Sequence, residues 1–131
     1  MHQQGNIAEA ERIYKETLKQ RPTYFDAQHQ LGVLALQTFR MERGVEFIAK
    51  AIELNPNVAG AHSNLGYASS ALSRHEEALA SNDKATALKP DFAEAHNNRG
   101  NALNDLKRRE EALASYDKAV ALKHFAEAYN N

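Results

Sequence analysis

Cysteine and tryptophan are absent from this sequence, and proline occurs only three times. The missing cysteine excludes disulfides, thiolate metal sites and cysteine nucleophiles together, and it is compatible with a reducing compartment. An excess of either charge is lacking too. The net charge is −1, so no global field draws the chain to nucleic acid or to an anionic membrane. Aliphatic residues come in short groups broken by charges, and no run approaches the roughly 20 apolar residues of a membrane helix. No basic region followed by an apolar stretch marks a signal peptide near Met1. A cytoplasmic location, with no membrane and no nucleic acid among the partners, is the expectation. Apolar residues at 43% are nevertheless too many for a disordered chain, so a packed core is expected.

What the sequence does contain is a repeat. Pro22, Pro56 and Pro90 stand 34 residues apart, as do Gly32, Gly66 and Gly100, and Leu54, Leu88 and Leu122. Ala27, Ala61 and Ala95 keep the same period, and so do Ala51, Ala85 and Ala119. The stretch His75 to Lys89 nearly reappears as Arg109 to Lys123. A period held at so many positions marks an array of structural repeats.

Within each unit the apolar spacing is helical. Ala61, Leu65, Ala68 and Leu72 advance by threes and fours along one helix face, and Ala78, Leu79, Ala85 and Leu88 gather on one side of the second helix. Polar hinges separate the helices at Thr38-Phe39-Arg40, Ser73-Arg74 and Lys107-Arg108. Each proline stops a second helix, because it cannot continue one and biases its predecessor away from helical geometry. The pattern predicts helices near 7–20, 24–37, 42–54, 58–72, 75–88, 92–106 and 109–122, with another begun at 125. One pair cannot bury its apolar face alone, so stacking should complete the core. The expected fold is all-α, a right-handed α-solenoid with a concave inner surface.

These residues resemble the tetratricopeptide repeat (TPR) family, whose motif couples a Leu-Gly pair, a small residue, an alanine, an aromatic and a closing proline. Leu31-Gly32, Ala51 and Pro56 supply it in one unit, and Leu65-Gly66, Ala78, Ala85 and Pro90 in the next. Gly100, Ala112, Tyr116 and Ala119 supply it in the third. The resemblance implies a partial repeat at 1–24 (second helix only), repeats at 25–58, 59–92 and 93–125, and the start of a truncated repeat at 126–131. Both ends look cut from something longer. Several positions depart from the motif. Gly44 replaces an expected alanine, Asn82 stands where Tyr14 and Tyr116 are aromatic, and Arg99 occupies the place of Leu31 and Leu65. The Arg99 stem is expected to pack while its head reaches water. After Lys123 one residue and the closing proline are missing, which shifts the register of the last helix.

The inner surface of such an array comes from the first helix of each pair. Gln30, Asn64 and Asn98 share one position there, and Asn131 is next in the column once the deletion is allowed for. An amide side chain offers acceptor and donors together, so a column of them suits the backbone of an extended peptide. His29, Val33, Tyr67, Asn97 and Asn101 neighbour the column. The Ala-His-x-Asn-x-Gly pattern is similar to the asparagine ladder in the TPR superhelix of O-GlcNAc transferases. That similarity implies a second possibility, the substrate-recruiting part of a larger glycosyltransferase. A third is a homo-oligomer formed through exposed solenoid ends, with Leu113, Tyr116 and Val120 facing a second molecule. The plain alternative for the amides is a solvated polar helix face.

Other chemistries find little support. The lysine-rich clamp by which some TPR proteins hold acidic chaperone tails would fall on His29, Val33, Asn64, Glu94 and Asn98, and only Asn64 matches. No two of the six histidines form the i,i+4 pair of a helical metal site. No phosphate loop, nucleophile elbow or catalytic triad appears. The sequence therefore predicts a protein- or peptide-binding scaffold with no catalytic, metal or cofactor site, not an enzyme.

Overall fold

The computed structural model describes residues 2–130. Seven helices make it up: α1 (His2–Gln20), α2 (Phe25–Gln37), α3 (Met41–Leu54), α4 (Ala59–Ala71), α5 (His75–Leu88), α6 (Ala93–Asp105) and α7 (Arg109–Asn130). No strand occurs among the described residues. The chain divides into two compact units, α1–α3 through Asn57 and α4–α7 from Val58.

Three turns of one design join α2 to α3, α4 to α5 and α6 to α7. Phe39, Ser73 and Lys107 each take a left-handed conformation, with φ of 61°, 61° and 65°. The next amide reaches back to close the helix: Arg40 to the Ala35 carbonyl, Arg74 to Ser69 and Arg108 to Leu103, all at 2.8 Å. Such a closure satisfies carbonyls that the last helical turn leaves orphaned, and it ordinarily employs glycine. None of the three is glycine, so each turn carries some backbone strain.

Prolines end the second helices in the expected manner. The residues before Pro56 and Pro90 are extended, with φ/ψ of −148°/99° at Asn55 and −139°/88° at Lys89. The third repeat differs. His124 follows Lys123 where Pro90 follows Lys89, nothing disfavours helical geometry at Lys123, and α7 runs unbroken to Asn130. No new helix starts at 125; α7 crosses the boundary between the third repeat and the short one expected after it.

At each helix crossing a glycine faces a side chain of the second helix. A Cβ on Gly32 would strike Ile48; on Gly66 it would strike the Asn82 amide; on Gly100 it would lie 2.6 Å from the Tyr116 ring. In the first unit Gly44 makes a second close approach, since a Cβ there would collide with Leu36. The corresponding residues are Ser70 with Ala78 and Asn104 with Ala112. Volume has thus moved from the second helix to the first without being lost.

The two cores differ in content. Leu31, Leu34, Leu36 and Ile48 are buried in the first unit. The second buries Ala61, Ala68, Ala78, Ala85, Ala95, Ala102, Ala112 and Ala119 with a single leucine, Leu103, and adds Asn82, Ser63, Ser69 and Ser115. Small side chains bring the helices close, and close helices leave hydroxyls and amides within reach of one another.

Candidate peptide-binding groove

In the second unit α4 and α6 are the first helices of their pairs, and they hold most of the predicted groove residues. Asn64 and Tyr67 lie on α4; Asn97, Asn98 and Asn101 lie on α6. Tyr67 and Asn101 are exposed, while Asn64, Asn97 and Asn98 are half-buried. Tyr67, Ser70, Ala71, Asn98 and Asn101 enclose a cleft of about 260 Å³. Tyr67 is 49% exposed, so its ring is available to an incoming apolar group.

Two of the amides are held from behind. Asn98 Nδ2 donates to the Ser63 hydroxyl at 3.3 Å. The Tyr116 hydroxyl, reaching over from α7, donates to Asn101 Oδ1 at 2.5 Å. Burial raises the Tyr116 phenol above its ordinary pKa and the Asp105 carboxylate adds to the shift, so the hydroxyl keeps its proton. Each bond engages one end of an amide and not the other: an acceptor on Asn98 and a donor on Asn101 remain.

Ser63 falls among the inner positions of its unit, but its bond to Asn98 does not follow from spacing, and Tyr116 does not stand out in the sequence as part of the groove. Ser63 is a buried serine of ordinary type, and Tyr116 reads as a motif aromatic. The available signal is the 34-residue register itself, which sets Tyr67 and Asn82 of one pair against Asn101 and Tyr116 of the next, the same two residue types exchanged. Asn82 is fully buried. Its Nδ2 donates to the Ala78 carbonyl at 3.0 Å, and its Oδ1 has no hydrogen-bond partner.

Arg99 is half-buried, and its head does more than reach water: Nε donates to the exposed Asp83 at 2.6 Å and a terminal nitrogen to Ser115 at 2.7 Å. The small residues around it let one guanidinium tie α5, α6 and α7 together.

The remaining candidates lie elsewhere. Gln30, His29 and Val33 sit on α2 in the first unit, where Gln30 is exposed and the other two are half-buried. Burial lowers the His29 pKa and the nearby Asp26 opposes that shift, so the ring, tilted against Phe25 with centroids 5.4 Å apart, favours its neutral form. Asn131 lies outside the described residues. On α7, Leu113 and Val120 are 60% and 52% exposed, whereas the Tyr116 ring turns inward against Gly100. Among the described residues no cluster of histidines and carboxylates has metal-ligand geometry. His96 Nε2 is hydrogen-bonded to the Pro90 carbonyl at 2.8 Å, and His75 Nδ1 stands 3.3 Å from Asp105. No helix among the described residues is long and apolar enough to cross a membrane.

Comparison with known proteins agrees with the repeat and its geometry. Three TPR family profiles match the chain, over residues 1–65, 69–107 and 93–125. The chain belongs to the tetratricopeptide repeat family. No curated protein matches its sequence. Among solved structures, the crystal structure of MamA superposes with a TM-score of 0.87 at 24% identity, over 93% of this chain and 71% of that one. MamA 41-end from Desulfovibrio magneticus RS-1 gives 0.84 at 21% identity, over 94% and 70%. The Arabidopsis OM64 TPR domain gives 0.74 at 26% identity, over 75% and 81%. The fold is an all-α TPR solenoid.

Proposed function

We propose that this protein is a non-catalytic interaction scaffold that holds an extended peptide segment against α4 and α6. The single observation that carries the reading is the cleft itself, where the Tyr67 ring, Asn98 and Asn101 converge. An aromatic ring beside amides suits a peptide whose side chain stacks on Tyr67 and whose backbone pairs with the asparagines, largely regardless of sequence. Gln30 holds the matching position on α2 of the first unit. Recruitment of substrate to a larger glycosyltransferase is a special case of this use; its support is the Ala-His-x-Asn-x-Gly pattern, present as Ala61 to Gly66 and Ala95 to Gly100.

The test is selection of unstructured, charge-neutral peptides on the immobilised protein beside an Asn64→Ala/Asn98→Ala variant. Each polar contact is worth about 0.5–1.5 kcal/mol, so the double variant should lose most of the enrichment. Equal enrichment on both proteins moves the site away from the groove.

A second reading, self-association, has one observation in its favour. Leu113 and Val120 lie two turns apart on the outer side of α7, more than half exposed. Light scattering across a concentration series should show dimers that a Leu113→Glu/Val120→Glu variant abolishes. A strict monomer at high concentration removes this reading.

A further inference from the structure

We propose that Tyr116, a residue of the second helix outside the cleft, is a positioning residue that fixes Asn101 as a hydrogen-bond donor toward a peptide carbonyl. The inference rests on the reading of the groove as a peptide site and adds how that groove chooses its polarity. A free asparagine amide rotates and presents oxygen or nitrogen with similar ease. At Asn101 the contact is short enough to select the oxygen, because O–H···O bonds run shorter than N–H···O bonds. The 2.5 Å bond from the Tyr116 hydroxyl occupies Oδ1, and the Nδ2 hydrogens remain for the ligand. Tyr116 is itself held, its ring resting on Gly100, where even one added carbon would crowd it. The support is therefore rigid from backbone to hydroxyl. Ser63 plays the converse part at Asn98, taking a donor and leaving the acceptor. The second unit thus offers one acceptor and one donor three residues apart on α6, neighbours on one helix face. These match the N–H and C=O along one edge of an extended peptide.

The α4–α5 pair offers no such support. There Asn82 occupies the place of Tyr116 and Tyr67 the place of Asn101, so an aromatic ring stands where the oriented donor would be. The cleft consequently joins two unlike halves, an apolar platform at Tyr67 and a directed amide at Asn101. The chemical class of ligand is an extended peptide with an apolar or aromatic side chain at one residue and an accepting carbonyl close by. Proline opposite Asn98 is disfavoured, because it has no N–H for the acceptor.

The test uses Tyr116→Phe, which deletes only the hydroxyl, in a double-mutant cycle with Asn101→Ala. The probe is the pool of unstructured, charge-neutral peptides, titrated in solution. Tyr116→Phe should weaken binding about 3- to 10-fold, the size of one neutral hydrogen bond, and should change nothing further in the Asn101→Ala background. Asn101→Asp, which keeps the acceptor for Tyr116 but replaces the donor with oxygen, should lose at least as much. Nitrogen relaxation of the Asn101 side-chain amide gives a readout independent of peptide: ordered in the native protein, mobile in Tyr116→Phe. Equal weakening by Tyr116→Phe with and without Asn101 would show a structural role and overturn the proposal. So would unchanged binding and amide order in Tyr116→Phe while Asn64→Ala/Asn98→Ala loses the peptides. If the native protein binds no peptide, the groove reading falls, and the relaxation measurement still decides whether Tyr116 orients Asn101.

Discussion

In the α4–α5 pair a tyrosine stands on the open face of the first helix and an asparagine is sealed beneath it; in the α6–α7 pair the two have exchanged places. The frame is common to both, with a glycine at the crossing, alanines around it and the same left-handed turn. The consequences differ. Tyr116 packs its ring, satisfies its hydroxyl and props up Asn101. Asn82 fills a fully buried site with a polar amide whose oxygen bonds to nothing. Which residue type occupies the inner position thus decides whether a pair stores an unmet hydrogen bond or directs one outward.

The sharpest way to break this comparison is to truncate both inner residues. Tyr116→Ala removes a packed ring and its hydroxyl, and urea unfolding should show a loss of about 2–4 kcal/mol. Asn82→Ala removes a small side chain together with an unpaired acceptor, and the same measurement should show less than about 1 kcal/mol. Similar losses from the two would mean that the exchange has no energetic content.

A second variant sharpens the contrast. Asn82→Ile installs the residue that Ile48 places at this position in the first unit, where it packs against Gly32. Removing a buried acceptor that costs about 1–3 kcal/mol should raise the unfolding midpoint and stabilise the second unit by roughly 1–2 kcal/mol. A destabilised Asn82→Ile would show that α4 and α5 lie too close for a branched apolar side chain.

The smallest effect should be the one the pairs share. Ser73→Gly and Lys107→Gly relieve left-handed backbone at equivalent turns, and each should gain about 0.5 kcal/mol after the added freedom of the unfolded chain is counted. Thermal melts of the two variants should shift alike. Unequal shifts would locate a difference between the pairs in the turns as well as in the cores.

Most of the architecture is legible in the sequence, because proline and a fixed period act locally. The interior helices begin and end within a residue of where hinges and prolines place them. Tyr24, Val58 and Phe92, expected as first helical residues, are instead the extended residues just before α2, α4 and α6. The missing proline is plain at Lys123-His124, but its effect, a continuous α7, depends on helix propagation that the repeat pattern does not describe. The groove is visible only in part. Positions on a helix face follow from spacing, and so do the amides; hydrogen bonds between helices do not. Tyr116 meets Asn101, and Arg99 meets Asp83 and Ser115, only once the alanine-rich core has drawn the helices together.

The Leu36–Gly44 contact has a bearing on how such a repeat can change over time. Leucine at 36, as it now lies, and a Cβ at 44 compete for one space, so position 44 cannot gain a side chain unless the leucine moves or leaves. A lineage reaching this pair from the small-residue arrangement of the other repeats must first accept glycine at 44, at a helix-propensity cost of about 1 kcal/mol. Only then does leucine at 36 fit, and the reverse order passes through an overfilled crossing. The substitutions are therefore epistatic and directional, and the route back is open only if leucine leaves first.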